Sequence, residues 1–556
     1  MNVFRNIKDN RDTNYIVFII IAVFYLFGNL LWYKLNTPII IQGIYNNYFA
    51  KALMEGEFFF DIAPLIVWIM RSFLHVFGNN YFDLEIIFIN YFFFLVALYF
   101  INKICIEIKN KETGTIAMLL FALTPAIYGA SRQYGHHDYH IMCVSLLNMY
   151  ALIKLEDFTN RKWSVIYGIS VGIGLMIKDA FAAYFFIPAL YVGIRSLMEQ
   201  TENKKQKIIN ILITMSLGCL IVGWHYFKWW IFKDILKGPF VEPSQYPYLS
   251  FENFRIFTIG IGEYLLSLPL FLFFILSMFW YVLKYKNKKY KNIFLLWFFV
   301  PWTILMFMRH HRLPDYGLGL VPIIIIVISL YISNIKKTVF KRTILIFLIT
   351  ICLLQYISFS YGKNMELFNL KIHLKGYDFY YFNKNYNFDG NSFPSIMFYD
   401  HIKRNCCLSV VQYLKNNFNN NTIYIYKDML TDIFTMEDLC TSLKLQNHRV
   451  IMNLEKVLDA DIIVFTKRDS FISSNYLIER QMEEFSDHLI SYDYKDLKNY
   501  ITAKINEINN KYIKLDEFDL YSDNLNAQNC IIVLGKKDLF ENGGELKYKY
   551  RYLTSN

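Results

Sequence analysis

Between two strongly apolar runs, Thr115–Tyr128 and Ile141–Ile153, lies a polar knot: Arg132-Gln133-Tyr134-Gly135-His136-His137-Asp138-Tyr139-His140. A carboxylate can take a proton from a hydroxyl, and imidazoles can donate or accept one. An arginine offers a planar fork of N–H donors to an oxyanion. The connection is too short to form a domain, so the flanking runs read as antiparallel helices. Both are apolar enough for a bilayer, and ionisable groups at a membrane boundary are costly unless they line a wet cavity or a site.

Three other segments hold similar chemistry. The long connection over residues 34–81 carries Gln42, Tyr45, Glu57 and Asp61, and then Pro64–Phe77, an apolar stretch interrupted by Arg71 and His75. That pattern predicts a helix lying along the membrane surface or re-entering it. Met176-Ile-Lys178-Asp179-Ala180 is a charged pair dividing one long apolar stretch, and Met308-Arg309-His-His-Arg312-Leu-Pro-Asp315 divides another. The cations Lys178, Arg309 and Arg312, with Arg132 beside them, suit a phosphate leaving group. The acids Asp138, Glu57 and Asp61 suit proton abstraction from an acceptor hydroxyl. Tyr45, Gln42, His136 and His137 are candidates for substrate contact.

The elements that must position these residues follow from the composition. The chain is 55% hydrophobic and 19% aromatic, with mean hydropathy +0.26. About eleven apolar runs approach spanning length, at 15–33, 82–101, 114–131, 137–154, 163–177, 180–197, 207–231, 257–283, 292–308, 314–333 and 342–361. With the N-terminus in the cytoplasm, every cytoplasmic connection is basic, from Arg5/Lys8/Arg11 to Lys336/Lys337/Lys341/Arg342. The four chemical segments then share the opposite, extracytoplasmic face. The net charge of +11 belongs to these orienting loops and not to a nucleic-acid surface. The expected fold is an all-α polytopic membrane domain over 1–363, followed by an extracytoplasmic α/β domain over 364–556. Short β-like runs (422–426, 449–452, 461–465 and 530–534) alternate there with helix-like stretches at 406–416 and 475–486. Cys406, Cys407, Cys440 and Cys530 fall in this part, as a disulfide or as free thiols.

On these residues the chain resembles the GT-C membrane glycosyltransferases, in the branch of lipid A aminoarabinose transferases and protein O-mannosyltransferases. Phe60-Asp61-Ile-Ala-Pro64-Leu-Ile-Val-Trp68 is similar to the branch's Phe-Glu-Lys-Pro-Pro-Leu-x-Tyr-Trp stretch. Asp138 sits where the branch places an acid on the second outer loop. Gly172-Ile-Gly-Leu-Met-Ile-Lys178 resembles its Gly-Leu-Gly-Leu-Leu-Thr-Lys segment, and Arg309-His-His-Arg312-Leu-Pro314 its basic Arg-Tyr-x-Leu-Pro segment. The resemblance implies a sugar donor carried on a polyprenyl phosphate and an acceptor outside the cytoplasm. One departure stands out. Where the branch has an Asp-Glu pair ahead of a tyrosine, this chain has Ile41-Gln42 ahead of Tyr45. Glutamine is no base, so the role passes to Asp138, Glu57 or Asp61, or the transferase activity is lost.

The leading expectation is an integral inner- or plasma-membrane glycosyltransferase. It moves a sugar from a polyprenyl-phosphate donor to a lipid, glycan or protein acceptor on the extracytoplasmic face. The expected partners are the bilayer, that donor and that acceptor, with no nucleic acid, no cofactor and no metal. A zinc site at the histidines is the alternative weighed, but adjacent His136 and His137 fit one tetrahedral site poorly. The competing functions are a glycan polymerase or ligase, a lipid-linked flippase, and a non-catalytic glycan-binding relative. Asp459-Ala-Asp461 reads as a solvated strand entry, and the chain has no P-loop, dinucleotide fingerprint or serine-hydrolase elbow.

Overall fold

The computed structural model describes residues 10–35, 64–77, 82–132, 137–198, 203–227, 251–306, 317–361, 370–374, 377–381, 385–388, 391–394, 413, 424–427, 449–451, 462–467, 510–520 and 529–536. The chain divides into two compact units. One comprises Met1–Pro38 and Ala52–Tyr399, the other Ile39–Lys51 and Asp400–Asn556.

In the first unit the helices are α1 (Asn10–Leu35), α2 (Pro64–Phe77), α3 (Phe82–Ile108), α4 (Lys111–Ala122), α5 (Pro125–Ala130), α6 (His137–Lys154), α7 (Arg161–Ile177), α8 (Ala182–Met198), α9 (Lys204–Phe227), α10 (Phe251–Gly260), α11 (Leu268–Lys284), α12 (Lys288–Met306), α13 (Val321–Asn334) and α14 (Thr338–Tyr361). Five stretches among the described residues are long and apolar enough to cross a membrane: Asn14–Trp32, Ile87–Ile108, Asp179–Met198, Lys204–Gly223 and Thr338–Tyr361. Their exposed side chains are apolar, such as Phe27 on α1, Leu212 and Leu220 on α9 and Ile346 on α14. Within a protein core these would be buried, and in a bilayer they face lipid tails.

The remaining expected spans are shorter or broken, for local reasons. The run 114–131 forms two helices because Pro125 cannot continue α4, and α5 restarts with that proline in its first turn. The run 257–283 is divided by a π-helical turn, Ile261–Leu266, and by Ser267 at φ 75°. Helix α6 carries Asp138, His140, Asn148 and Lys154 and is buried along nearly all its length. Neighbouring helices shield it from lipid, so its sequence need not be uniformly apolar. Helix α13 is apolar all round, and Ile323 to Ile328 are fully buried, which makes it the central element of the core.

Glycines let these helices approach. A Cβ at Gly168 would lie 2.6 Å from the Thr214 carbonyl oxygen, and one at Gly172 would lie 2.7 Å from Ile221, so α7 and α9 touch backbone to backbone. One end of the unit is stitched by ions. Lys154 pairs with Glu107 at 2.8 Å and Lys341 with Glu112 at 2.7 Å. Asp157 holds both Arg195 and Lys289, the latter at 3.0 Å. The connections 155–160, 195–204 and 284–291, all predicted to lie on one face, are thereby brought together. Glu156, Asp157 and Phe158 adopt left-handed backbone (φ 49°, 58° and 63°) to make that turn.

Two hairpins follow α14 in this unit: β1 (Lys371–Leu374) with β2 (Tyr377–Tyr380), and β3 (Asn385–Phe388) with β4 (Asn391–Pro394). The second unit contains a five-stranded sheet in the order β6-β5-β7-β9-β8. Strands β5 (Tyr424–Lys427), β6 (Arg449–Ile451) and β7 (Ile462–Lys467) are parallel. β9 (Asn529–Lys536) runs antiparallel to β7 and to β8 (Tyr512–Leu520). Four of these strands coincide with the β-like runs of the sequence. Of the helix-like stretches, 475–486 lies outside the described residues, as does 406–416 apart from Tyr413.

Candidate active site

Asp138 occupies the first turn of α6, where the helix dipole favours a negative charge. Its neighbour is Lys178, which caps the end of α7 in extended backbone (φ −164°, ψ 140°). Two features place that lysine. Its backbone N–H closes on the Gly174 carbonyl oxygen, and a 3₁₀ turn at Asp179–Phe181 folds the chain back into α8. The fold-back needs Gly174, because a Cβ there would lie 2.2 Å from the Phe181 ring. The Gly-x-Gly run ahead of Lys178 is thus a packing device that sets where the ammonium points.

The Lys178 ammonium donates to Oδ2 of Asp138 at 2.7 Å. The Asp138 side chain is 4% exposed and that of Lys178 19%. Oδ1 of Asp138 is buried and has no hydrogen-bond partner among the described residues. One carboxylate oxygen is therefore neutralised and oriented while the other keeps its lone pairs. A buried acceptor left open in this way suits a hydroxyl donor supplied by a substrate. Tyr184 of α8 and the turn Leu318–Leu320 complete the surroundings. A Cβ at Gly319 would lie 2.2 Å from the Tyr184 ring, so only glycine admits this contact.

The other knot residues divide in role. His137 is half-buried beside Asp138. His140 is turned inward, where its Nε2 lies 2.8 Å from Oδ1 of Asn90 and its ring meets Phe93 edge-on at 4.6 Å. Asn90 also donates to the Ser131 carbonyl at 2.7 Å, and its own carbonyl accepts from the Tyr139 hydroxyl at 3.2 Å. His140 is a packed structural histidine. Arg132 is buried as well, directed toward α1 and α14. Glu57, Asp61, Gln42, Tyr45, His136, Arg309 and Arg312 lie outside the described residues. Among the described residues no group of three His, Cys, Asp or Glu side chains is placed to share a metal ion.

Part of the helical unit is similar to a known family. Residues 61–225 match the family model described as dolichyl-phosphate-mannose-protein mannosyltransferase. The apo crystal structure of ArnT from Cupriavidus metallidurans superposes on 94% of this chain and 98% of its own, at TM-score 0.53 and 10% identity. The same protein bound to undecaprenyl phosphate covers 93% and 97%, at TM-score 0.51 and 9% identity. The chain shares the fold of ArnT. No curated protein matches it in sequence. The matched family region contains both Asp138 and Lys178. The sequence alone did not reveal the Lys178–Asp138 pairing, nor the inward turn of His140.

Proposed function

We propose that this GT-C protein transfers a sugar from a polyprenyl-phosphate donor to a hydroxyl of a lipid, glycan or protein at the extracytoplasmic face. The observation that carries the reading is the buried Asp138 carboxylate, held through one oxygen by Lys178 and open at the other. In the reaction the acceptor hydroxyl donates to Oδ1 of Asp138. The bond between the sugar's anomeric carbon and the phosphate oxygen breaks as the bond to the acceptor oxygen forms. The hydroxyl proton passes to Asp138, and polyprenyl phosphate departs. Lys178 holds Asp138 aimed before the transfer. Arg309 and Arg312 bind the leaving phosphate, which develops negative charge as the sugar departs. In this reading Lys178 serves the carboxylate first and the phosphate second. Glu57 and Asp61 remain the alternative bases on the first outer loop, with Tyr45, Gln42, His136 and His137 contacting substrate. The chemistry calls for no cofactor or metal when these cations act.

The face follows from charge. The ion-stitched end of the helical unit holds the lysine-rich connections and is assigned to the cytoplasm, with the N-terminus. The Asp138 end and the C-terminal unit, read as an α/β domain, are then extracytoplasmic. Purification in detergent with mass spectrometry of co-purified lipids tests the donor class. A bound polyprenyl-phosphate species is expected. A preparation that neither retains nor turns over any polyprenyl-linked sugar would favour the non-catalytic relative.

A further inference from the structure

Arg132 is 2% exposed, and its environment is unlike that of a structural arginine. Its Nε donates to Oδ1 of Asn29 at 3.0 Å. Asn29 is itself held by the Ser131 hydroxyl at 3.4 Å, and that hydroxyl accepts from Tyr25 at 2.8 Å and donates to the Tyr128 carbonyl at 2.9 Å. Three rings surround the guanidinium, with centroids 5.0 Å (Trp32), 5.3 Å (Tyr128) and 5.5 Å (Tyr356) away. Nη1 and Nη2 are both buried, and neither has a hydrogen-bond partner among the described residues. The Tyr128 hydroxyl is likewise buried and unpartnered among them.

Arginine stays protonated at any working pH, so this is a permanent buried cation. Aromatic faces offset part of its desolvation but accept none of the in-plane N–H bonds. No carboxylate pairs with it among the described residues. The group is fixed through Nε, fenced by rings, and presents the two nitrogens that form a bidentate contact with an oxyanion. The complement lacking is an acceptor with negative charge.

The surroundings indicate where that acceptor comes from. Trp32 and Tyr356 belong to α1 and α14, whose neighbouring side chains Phe27, Leu31, Leu354 and Ile357 are exposed and apolar. An occupant reaching Arg132 between these helices arrives from the bilayer. Its neighbours Asn29, Trp32, Tyr128 and Tyr356 are not those of Asp138, whose Oδ2 accepts from Lys178 of α7.

We infer that Arg132, with the Tyr128 hydroxyl beside it, binds the phosphate of a membrane lipid at a second oxyanion site apart from the Asp138–Lys178 pair. The site takes a phosphodiester headgroup whose acyl chains lie against α1 and α14.

The test uses the full chain, purified and stripped of lipid in a neutral detergent. Thermal stability is then titrated with phosphatidylglycerol, with diacylglycerol of the same chains, and with inorganic phosphate. Native mass spectrometry counts the lipids retained. Phosphatidylglycerol should raise the melting temperature and leave one phospholipid bound per chain, and diacylglycerol should do neither. Arg132→Gln should lose the retained lipid and most of the shift. Arg132→Lys, which keeps the charge but not the fork, should weaken binding about tenfold. Asp138→Asn should keep the full response, so failure of this site and failure of the transferase reading are separable. An equal response in Arg132→Gln and the unmodified protein would overturn the proposal. So would a shift from inorganic phosphate alone equal to that from the lipid, since the source would then be a free ion. Should Arg132→Gln not fold, unchanged lipid affinity in Arg132→Lys overturns it instead.

Discussion

Lys178 and Asp138 stand 40 positions apart in the chain, and the lysine's Nζ lies 2.7 Å from the aspartate's Oδ2. The contact joins the end of α7 to the start of α6. It converts two charged residues at helix termini into one oriented, half-satisfied carboxylate.

Breaking that pair from either side has different consequences. Lys178→Met leaves a buried carboxylate without its counter-ion. Removing one partner of a buried pair costs about 3–5 kcal/mol, and the low end applies here because the lysine is partly exposed. Asp138→Asn/Lys178→Met should recover part of that loss. Melting temperatures of the single and double variants in detergent check this, and strict additivity would deny the coupling.

Gly174 and Gly319 are expected to tolerate no side chain. Each Cβ would meet a ring at 2.2 Å, from Phe181 and Tyr184 respectively. Overpacking of this kind typically costs about 1–3 kcal/mol. Gly174→Ala should lower both stability and turnover, since it displaces the turn that aims Lys178. Gly223→Ala, inside α9 where a Cβ meets nothing within 4 Å, is the control and should lower neither stability nor turnover.

Asp157 makes stability depend on pH at the opposite end of the unit. Burial pushes its carboxyl pKa up, but bonds from Arg195 and Lys289 outweigh this and hold it below the ordinary carboxylate value. A depressed folded-state pKa stabilises above the unfolded value, about 3.9 for aspartate, and the gain is lost as pH falls through the folded value. Asp157→Asn should remove this part of the acid sensitivity. Melting curves between about pH 3 and pH 6 read it, and identical acid profiles would reject the contribution.

The proposed topology, with the lysine-rich end in the cytoplasm, is tested by labelling. A cysteine introduced near Lys288 should resist an impermeant thiol reagent in intact cells, and one near Ser244 should label. The reverse pattern would place Asp138 in the cytoplasm.

Much of the helical unit was legible because its signals are local. Pro64 and the apolar stretch after it mark α2, and the pattern of lysines in short connections predicts which helix ends share a face. Pairs such as Asp157 with Lys289 bear out that grouping of ends. Long-range bonds were not legible. The run 257–283 looks like one uninterrupted helix, yet it breaks at Ser267. There the Leu268 N–H bonds the Tyr381 carbonyl at 3.0 Å, and Gln355 bonds the Ser267 hydroxyl at 3.0 Å. Tyr25, Asn29 and Asn90 lie in apolar segments distant from one another in the chain. Only the fold gathers them around Ser131 and Arg132. Lys178 carried a readable charge, but nothing adjacent to it in sequence names Asp138 as its partner.

The role proposed for Asp138 is to take the acceptor's proton during sugar transfer. The most direct measurement is single-turnover release of polyprenyl phosphate from a radiolabelled polyprenyl-phosphate sugar, in unmodified protein and in Asp138→Asn. The variant should fold, retain donor, and transfer sugar about 10²–10⁴-fold more slowly. Full activity in Asp138→Asn, with loss in Glu57→Gln or Asp61→Asn, would contradict it and move the base to the first outer loop.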